Sequence, residues 1–196
     1  MEARGLAANK KGALDLGAYL VFLDESGFLL LGTVCRTWAP QGQTPKVRYR
    51  YQHGKVSLIS AVSVSPRCQR VGLYYQLHRA NIRRPQVCAF LRHLLRHLSG
   101  PLLLLWDNGQ IHKGAEIREF LDRHPRLHVE YFPGYAPELN PDEGVWQQAK
   151  GTLANGRPDD LDELAAQVTS EMDALCASPA KIRACIHMSD LPSFLR

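Results

Sequence analysis

Two short apolar runs, each followed directly by an aspartate, constrain the fold of this chain more than any other feature. The first is YLVFL at residues 19–23, before Asp24, and the second is PLLLLW at residues 101–106, before Asp107. Their length favours buried strands over helices. Open α/β sheets bind ligands in the crevice at their strand ends, so both aspartates are candidate site residues. A lone aspartate after a strand is also a common turn residue, and spacing alone does not establish that the two meet.

Alternating hydrophobicity and helical periodicity predict the other elements as far as residue 176. Strands are predicted at 28–38, 56–64, 71–77 and 127–132, and helices at 85–98, 113–123, 141–153 and 159–176. Residues 46–51 alternate basic and apolar side chains, as an exposed strand would. The order predicts a mixed α/β layout. At 196 residues the chain suits one domain, taken as residues 19–196 behind a flexible lead at 1–18.

The apolar runs and cysteines exclude several classes of protein. No apolar run reaches the roughly 18 residues of a membrane span, so no membrane partner is expected. The first residues do not resemble a signal peptide. The five cysteines are scattered and form no CxxC pair, which argues against a disulfide framework or a zinc site. They are interpreted as small buried side chains of a cytoplasmic protein.

Charge is strongly segregated along the chain. Residues 26–106, here called the acid-free segment, contain no Asp or Glu but twelve of the 24 Lys and Arg. Such a segment creates a positive field whose natural partner is a polyanion. Charge alone does not separate DNA from RNA or from an anionic membrane surface. The plainer alternative is an arginine-rich, solvated face.

Three acids in different local settings suggest a metal site. Asp24 and Asp107 follow strands, and Glu143 lies in the first turn of a predicted helix, in YAPELNPDEGVWQQAK. Carboxylate oxygens are the ligands that Mg²⁺ prefers. A pair of such ions can activate an attacking oxygen and stabilise a leaving one.

Four motifs together resemble a known family. The motifs are LVFLDESGF, RTWAPQGQTP, LLLWDNGQIHK and FPGYAPELNPDEGVWQQAK. They resemble bacterial insertion-sequence transposases of the Insertion Sequence 630 type, related to the mariner superfamily. The resemblance covers residues 19 to 152 and implies a ribonuclease H-like mixed sheet flanked by helices. It also implies a DDE catalytic domain in which Asp24, Asp107 and Glu143, the last two separated by 35 residues, bind the metal.

The resemblance also implies the reaction and its partners. Water would cut double-stranded DNA at the ends of a mobile element, and the freed 3′-hydroxyl would then attack target DNA. The cofactor would be Mg²⁺, with Mn²⁺ as a substitute, and two ions are expected at the site. The expected assembly is a homodimer.

The third acid has a neighbour that competes for its role. Asn140, Pro141 and Glu143 match a capping box, in which Glu143 would bond back to the Asn140 amide and leave Asp142 for the metal. Against this, Glu143 shares a helix face with Trp146, three residues on, whose burial would direct that face inward. We therefore predict that Glu143 is the third ligand.

Nine residues are candidate DNA contacts. They are Arg36, Trp38, Lys46, Arg48, Arg50, Lys55, Asn108, His112 and Lys150. Several have plainer interpretations: Asn108 as a turn residue, His112 as a packed side chain and Lys150 as a solvated one. The three tryptophans, Trp38, Trp106 and Trp146, are predicted to be core residues, although Trp38 could instead stack on a base.

Members of the resembled family carry a helix-turn-helix region before the catalytic domain, and only 23 residues precede Asp24 here. The chain is therefore interpreted as a second reading frame joined by frameshifting, or as a truncated copy, with a separate or frameshift-joined helix-turn-helix protein as partner. Two other functions remain open. One is an inactive remnant that binds DNA non-specifically, and the other is a nuclease acting on RNA–DNA hybrids.

Overall fold

The computed structural model describes residues 17–31, 35–43, 46, 54–156 and 158–191. Within these ranges the chain forms five strands and five α-helices. The strands are β1 (Tyr19–Leu29), β2 (Lys55–Val64), β3 (Val71–His78), β4 (Leu102–Trp106) and β5 (Leu127–Tyr131). The helices are α1 (Arg84–His97), α2 (Ala115–Asp122), α3 (Pro141–Thr152), α4 (Leu161–Cys176) and α5 (Pro179–Met188).

The strands form one mixed sheet in the order β3-β2-β1-β4-β5. β1 runs antiparallel to β2 and parallel to β4, which in turn runs parallel to β5. The pairing of β1 with β4 ends at Phe22 and Leu105, whereas its pairing with β2 continues to Leu29 and Lys55. The second half of β1 therefore projects beyond β4 and leaves a step in the sheet beside Asp24.

Helices cover both faces of the sheet. Along β1, side chains alternate between the faces, as a strand requires. Leu20 and Phe22 pack with α3, α4 and α5, whereas Val21 and Leu23 pack with α1 and α2. β2 is buried from Val56 to Val64, which explains its continuous apolar and small-residue sequence.

Helix α3 lies unusually close to α5. A side chain at Gly144 would place its Cβ only 3.0 Å from Cys185 Cβ and 3.2 Å from Cys185 Cα. Glycine is therefore needed at this crossing, because the backbone of α5 cannot yield as a flexible side chain would. Gln148, one turn further along α3, donates a hydrogen bond to Cys185 Sγ at 2.8 Å.

Most predicted elements are confirmed to within three residues, but two differences are informative. The strand predicted at 28–38 is wrong: β1 runs unbroken to Leu29, because β2 pairs with it throughout, and residues 35–43 contain no strand. Helix α5 was not predicted. The alternating segment at 46–51 lies outside the described residues except for Lys46, as do residues 1–16 of the predicted lead.

Burial corrects two sequence predictions. Trp106 and Trp146 are core residues as predicted, but Trp38 is fully exposed, so its assignment to the core is wrong. All five cysteines lie among the described residues and are unpaired, and Cys35 is exposed rather than buried. In the described part of the chain, no helix has both the length and the apolar character to cross a membrane.

Candidate active site

The parallel pairing of β1 and β4 brings the two aspartates to one edge of the sheet. Leu105 pairs with Phe22, so the chain beyond Trp106 leaves β4 alongside Asp24. Both side chains line the same open cavity, of about 510 Å³. The sequence predicted that Asp24 ends its strand, but β1 continues beyond it to Leu29. Asp24 lies instead beside the point at which β4, the parallel neighbour of β1, ends.

Helix α3 adds Glu143 to this cavity. The helix begins after Asn140, whose side-chain oxygen accepts a hydrogen bond from the Asp142 amide at 3.2 Å. Pro141 occupies the first helical position, where no amide donor is needed. Glu143 is exposed and lines the cavity with Asp24, Asp107 and Asn108. The first turn of α3 thus presents a carboxylate to the cavity that Asp24 and Asp107 line.

Asp142 points the other way, into the protein. It is fully buried, and its Oδ1 accepts a hydrogen bond from Ser60 Oγ at 2.5 Å. Its Oδ2 lies 3.4 Å from the Val62 amide, which donates to it. Burial raises the pKa of the Asp142 carboxyl well above its ordinary value. Asp142 therefore anchors α3 on β2 and is turned away from the solvent that an incoming metal ion or DNA would occupy.

Trp146 fixes the orientation of Asp24. This tryptophan is buried, and its Nε1 donates a hydrogen bond to Asp24 Oδ2 at 2.9 Å. The sequence predicted that Trp146 would anchor its helix face, but not that it would hold the Asp24 carboxylate. The Asp24 carboxylate held in this way lines the cavity that it shares with Glu143.

Asp24 lies in an electrostatically unfavourable position. Burial raises its pKa, the hydrogen bond from Trp146 lowers it, and the charges of Glu25 and Glu143 raise it again, to about 7. A nearby cation stabilises the ionised form of such a carboxyl group, because a positive charge offsets both its desolvation and the repulsion from its acidic neighbours. The donor set of the cavity, carboxylates and the Asn108 amide, suits a hard divalent ion.

The stability of the metal-free protein should therefore depend on Asp24 at mildly acid pH. The folded form holds a proton that the unfolded form, with an ordinary pKa of 3.8, releases. Stability contributed by this group consequently falls as pH rises from about 4 to about 7, by at most about 4 kcal/mol. We expect Asp24→Asn, which keeps an acceptor for Trp146, to lack this fall. Urea unfolding of both proteins at pH 5 and pH 8 measures the difference; parallel pH profiles would contradict it.

Asp107 and Glu25 are joined by a buried histidine. His112 Nε2 lies 3.1 Å from Glu25 Oε1, and Nδ1 lies 2.8 Å from Asp107 Oδ1. The ring stacks on Trp106, with centroids 4.3 Å apart and planes 7° from parallel. Burial lowers the pKa of His112, but the hydrogen bond and charge of Glu25, with those of Asp107, outweigh burial and raise it.

His112 is consequently a packed residue rather than a direct DNA contact. It is 1% exposed, and both ring nitrogens face acceptors within the protein. The sequence prediction of a DNA contact is corrected here, in favour of the alternative that His112 is packed. Glu25 was missed altogether. Successive side chains of a strand point to opposite faces, so Glu25 lies on the face of β1 opposite to Asp24. This alternation is the sequence signal that could have assigned different roles to the two adjacent acids.

The carboxylates do not form a closed metal cage in the orientations that they adopt. Across the described ranges, no group of three or more His, Cys, Asp or Glu side chains is arranged to hold an ion. Asp107 Oδ1 accepts a hydrogen bond from the Gly109 amide at 2.8 Å and faces His112, and one oxygen of Asp24 faces Trp146. The structure brings the three acids to one cavity without arranging them as a closed set of ligands.

The remaining candidate DNA contacts fall into three groups. Arg36, Trp38, Lys46 and Lys55 are exposed, and Asn108 is exposed within the acid-lined cavity. Lys150 is half-buried, with Nζ 5.7 Å from the centre of the Phe28 ring, and lines a different cavity, of about 210 Å³. Arg48 and Arg50 lie outside the described residues.

Known proteins resemble this chain in sequence pattern and in fold. The family model described as "DDE superfamily endonuclease" matches residues 19–165. No curated protein sequence matches the chain at a significant level. The "Mos1 mariner paired end complex with Mn" is 21% identical, with a TM-score of 0.69 over 98% of this chain and 57% of that one. The Mos1 paired-end complex with left transposon end is also 21% identical, with a TM-score of 0.66 over 94% of this chain and 55% of that one.

The catalytic domain of Mos1 mariner transposase, taken alone, is 15% identical, with a TM-score of 0.52 over 94% of this chain and 87% of that one. This chain thus spans little more than half the length of the first two structures and most of the third. The likeness confirms the predicted ribonuclease H-like mixed sheet flanked by helices. Because the family model covers three quarters of the chain, the protein belongs to the DDE superfamily endonuclease family.

Proposed function

We propose that this chain is the catalytic domain of a transposase of the Insertion Sequence 630 type, which cuts DNA and joins the freed 3′-hydroxyl to target DNA. The observation that carries the proposal is the single cavity lined by Asp24, Asp107 and Glu143, from two strands and a helix start. An inactive remnant would not need three acids at one cavity. One of them, Asp24, lies in an unfavourable environment that raises its pKa.

The proposal includes divalent cations as cofactors. Asp24, Asp107 and Glu143 would hold Mg²⁺, or Mn²⁺ in its place, and we propose two ions. When bound, such ions activate an attacking oxygen and stabilise a leaving one in phosphoryl transfer. Paired-end complexes of Mos1 have been solved with Mn and with Mg, which supports this choice of metal.

The chain's own groups would orient these ligands and the DNA. Trp146 donates a hydrogen bond to Asp24, and the Gly109 amide and His112 contact Asp107 Oδ1. A Cβ at Gly109 would lie 2.8 Å from Asp107 Oδ1, so a larger residue there would displace the Asp107 side chain. Asn108, exposed in the same cavity, would donate a hydrogen bond to a phosphate oxygen.

DNA would lie across the edge of the sheet at which β1 ends. A basic cavity of about 480 Å³ at this edge is lined by Lys55, Arg79 and Arg83, all from the acid-free segment. Lys55 pairs with Leu29, five residues beyond Asp24 on β1. Five residues of strand span about 17 Å, half of one turn of duplex DNA. A single duplex could therefore reach both the acids and the basic cavity. Arg79 also pairs with Asp162, so Lys55 and Arg83 are the better probes.

Removing two charges from the basic cavity should reduce the salt dependence of DNA binding. Each lost phosphate contact lowers the slope of log affinity against log salt by about one unit, so Lys55→Gln with Arg83→Gln should lower it by roughly two. The matched control is Arg118→Gln with Lys181→Gln, two exposed cations outside the acid-free segment. Fluorescence anisotropy with one random-sequence duplex at several salt concentrations gives the slopes. Equal slopes for the two double variants would place the DNA elsewhere.

Nicking of supercoiled plasmid tests the proposed function directly. The purified chain should convert supercoiled DNA to nicked circles in Mg²⁺ or Mn²⁺, and EDTA should stop the reaction. Cutting of an RNA–DNA hybrid that contains a DNA strand of the plasmid sequence is measured in parallel. A preference for the hybrid would indicate the alternative nuclease function, and an absence of metal-dependent cutting in every substrate would contradict the proposal.

The proposal also covers the assembly. The Mos1 structures are paired-end complexes, and we propose that two copies of this chain likewise act on two DNA ends. We further propose that selectivity for those ends comes from a helix-turn-helix segment or partner, because contacts to phosphates carry no direct sequence information.

A further inference from the structure

The loop between β5 and α3 gives the acid-lined cavity a second, apolar wall. Its lining residues are Phe132, Pro133, Gly134, Tyr135, Ala136 and Pro137. Asp24, Asp107, Asn108 and Glu143 line the cavity as well. One cavity therefore combines an apolar surface, which suits a flat organic ring, with acids that suit a metal-bound phosphate. The proposed metal chemistry uses only the acids and leaves the apolar wall without a role.

Tyr135 is the unusual residue of this wall. Its side chain is fully exposed, although large aromatic residues are mostly buried. Its φ of 59° lies in the left-handed region, which a bulky side chain seldom adopts and which costs free energy. An exposed ring recovers none of that cost by packing within the protein. Strained backbone of this kind concentrates at functional sites.

The loop is fixed at both ends, so the position of Tyr135 is imposed on it. On one side Phe132 is buried, stacks with Phe22 and donates its amide to Trp106 O at 2.9 Å. On the other side the Asn140 amide donates to Pro137 O at 2.9 Å, and Pro137 itself restricts the chain. The ring is therefore held in solvent at the cavity rim by anchored backbone.

We propose that Tyr135 is a stacking platform for an unpaired DNA base next to the phosphate held at the acids; this rests on the proposed function. Every base has a π-face on which an aromatic ring stacks with little sequence preference. A base inside a duplex has both faces covered by its neighbours, so the partner of Tyr135 must be unstacked. The apolar wall would shield the base and the sugar from water, while Asn108 and the acids face the phosphate.

Binding to two matched DNA duplexes tests the proposal. Both have the same sequence, and one carries a single unpaired base beside the cleavage position. Ca²⁺ replaces Mg²⁺ so that the DNA stays intact during the measurement. The variants are Tyr135→Phe, which keeps the ring but not the hydroxyl, and Tyr135→Gly, which removes the ring and accepts the left-handed backbone without strain. Tyr131→Ala, a half-exposed aromatic at the end of β5 and not part of the cavity lining, is the control.

Stacking predicts a specific pattern. The unchanged protein, Tyr135→Phe and Tyr131→Ala should prefer the unpaired duplex by about tenfold, and Tyr135→Gly should lose that preference while binding the paired duplex normally. With 2-aminopurine as the unpaired base, fluorescence should be lower on the unchanged protein and Tyr135→Phe than on Tyr135→Gly, because stacking quenches it. A thermal melt of Tyr135→Gly should show no loss of stability.

Two outcomes would overturn the proposal. If Tyr135→Phe binds as weakly as Tyr135→Gly, the hydroxyl rather than the ring makes the contact. If Tyr135→Gly keeps the preference for the unpaired duplex, the base binds elsewhere. Either result leaves plasmid nicking by the unchanged protein intact, so failure of this inference is distinct from failure of the proposed function.

Discussion

Replacing Asp24 or Asp107 by asparagine should abolish metal-dependent nicking while DNA binding stays intact or becomes tighter. Both residues line the cavity in which we place the metal ions, and an amide there cannot supply the negative charge that the ions require. We expect the rate to fall roughly a thousandfold or more, as for other groups that act only in the transition state. Binding should not weaken, because the substitution removes a negative charge close to the phosphates.

Rates of plasmid nicking in Mn²⁺, together with anisotropy titrations, separate the two effects. Asp122→Asn, an exposed acid at the end of α2, is the control for a general change of charge and should nick at the normal rate. The assignment fails if either cavity variant nicks normally, or if the control is as impaired as the cavity variants.

Glu143→Gln should be as inactive as the aspartate variants, whereas Asp142→Asn should retain most of the activity. Glu143 is exposed in the cavity, so its substitution should change the free energy of unfolding by no more than about 0.5 kcal/mol. Asp142 is turned into the sheet, where Ser60 holds it. Asp142 therefore anchors the helix, whereas Glu143 is expected to bind metal. The nicking rates of these two isosteric variants distinguish the two roles.

The pH dependence of stability gives an independent readout for Asp142. Its folded-state pKa is raised above the ordinary 3.8, so this group lowers stability as pH rises through that value and above. Asp142→Asn lacks the ionisation, and its stability relative to the unchanged protein should improve as pH rises. If Asp142→Asn is inactive and Glu143→Gln still nicks DNA, the third ligand moves by one residue.

The sheet and most helices follow from sequence periodicity because their signals are local. The apolar runs before Asp24 and Asp107 are strands, and the order of elements predicts an α/β fold. The error at residues 28–38 arose because Asp24, Glu25, Ser26 and Gly27 resemble a turn. In the structure, antiparallel pairing with β2 keeps this segment extended, and long-range pairing of this kind leaves no local signal.

Helix α5 did carry a local signal. Ser178 accepts a hydrogen bond from the Lys181 amide as N-cap, Pro179 occupies the first turn, and Ile182 and Ile186 are spaced four apart. The meeting of Asp24, Asp107 and Glu143 at one cavity carries no such local signal, because it depends on strand order and register. Neither the hydrogen bond from Trp146 to Asp24 nor the link from His112 to Glu25 could be inferred from residues 122 and 87 positions apart.

The close contact of Gly144 with Cys185 has a consequence for how the enzyme matures during synthesis. Glu143 is followed directly by the glycine that lies against α5, so the helix that carries this acid is supported by a helix that is synthesised after it. A nascent chain that has not yet exposed residues 179–188 lacks this support, although both aspartates have already been synthesised. Cutting activity would then appear only after residues 179–188 have left the ribosome and packed against α3.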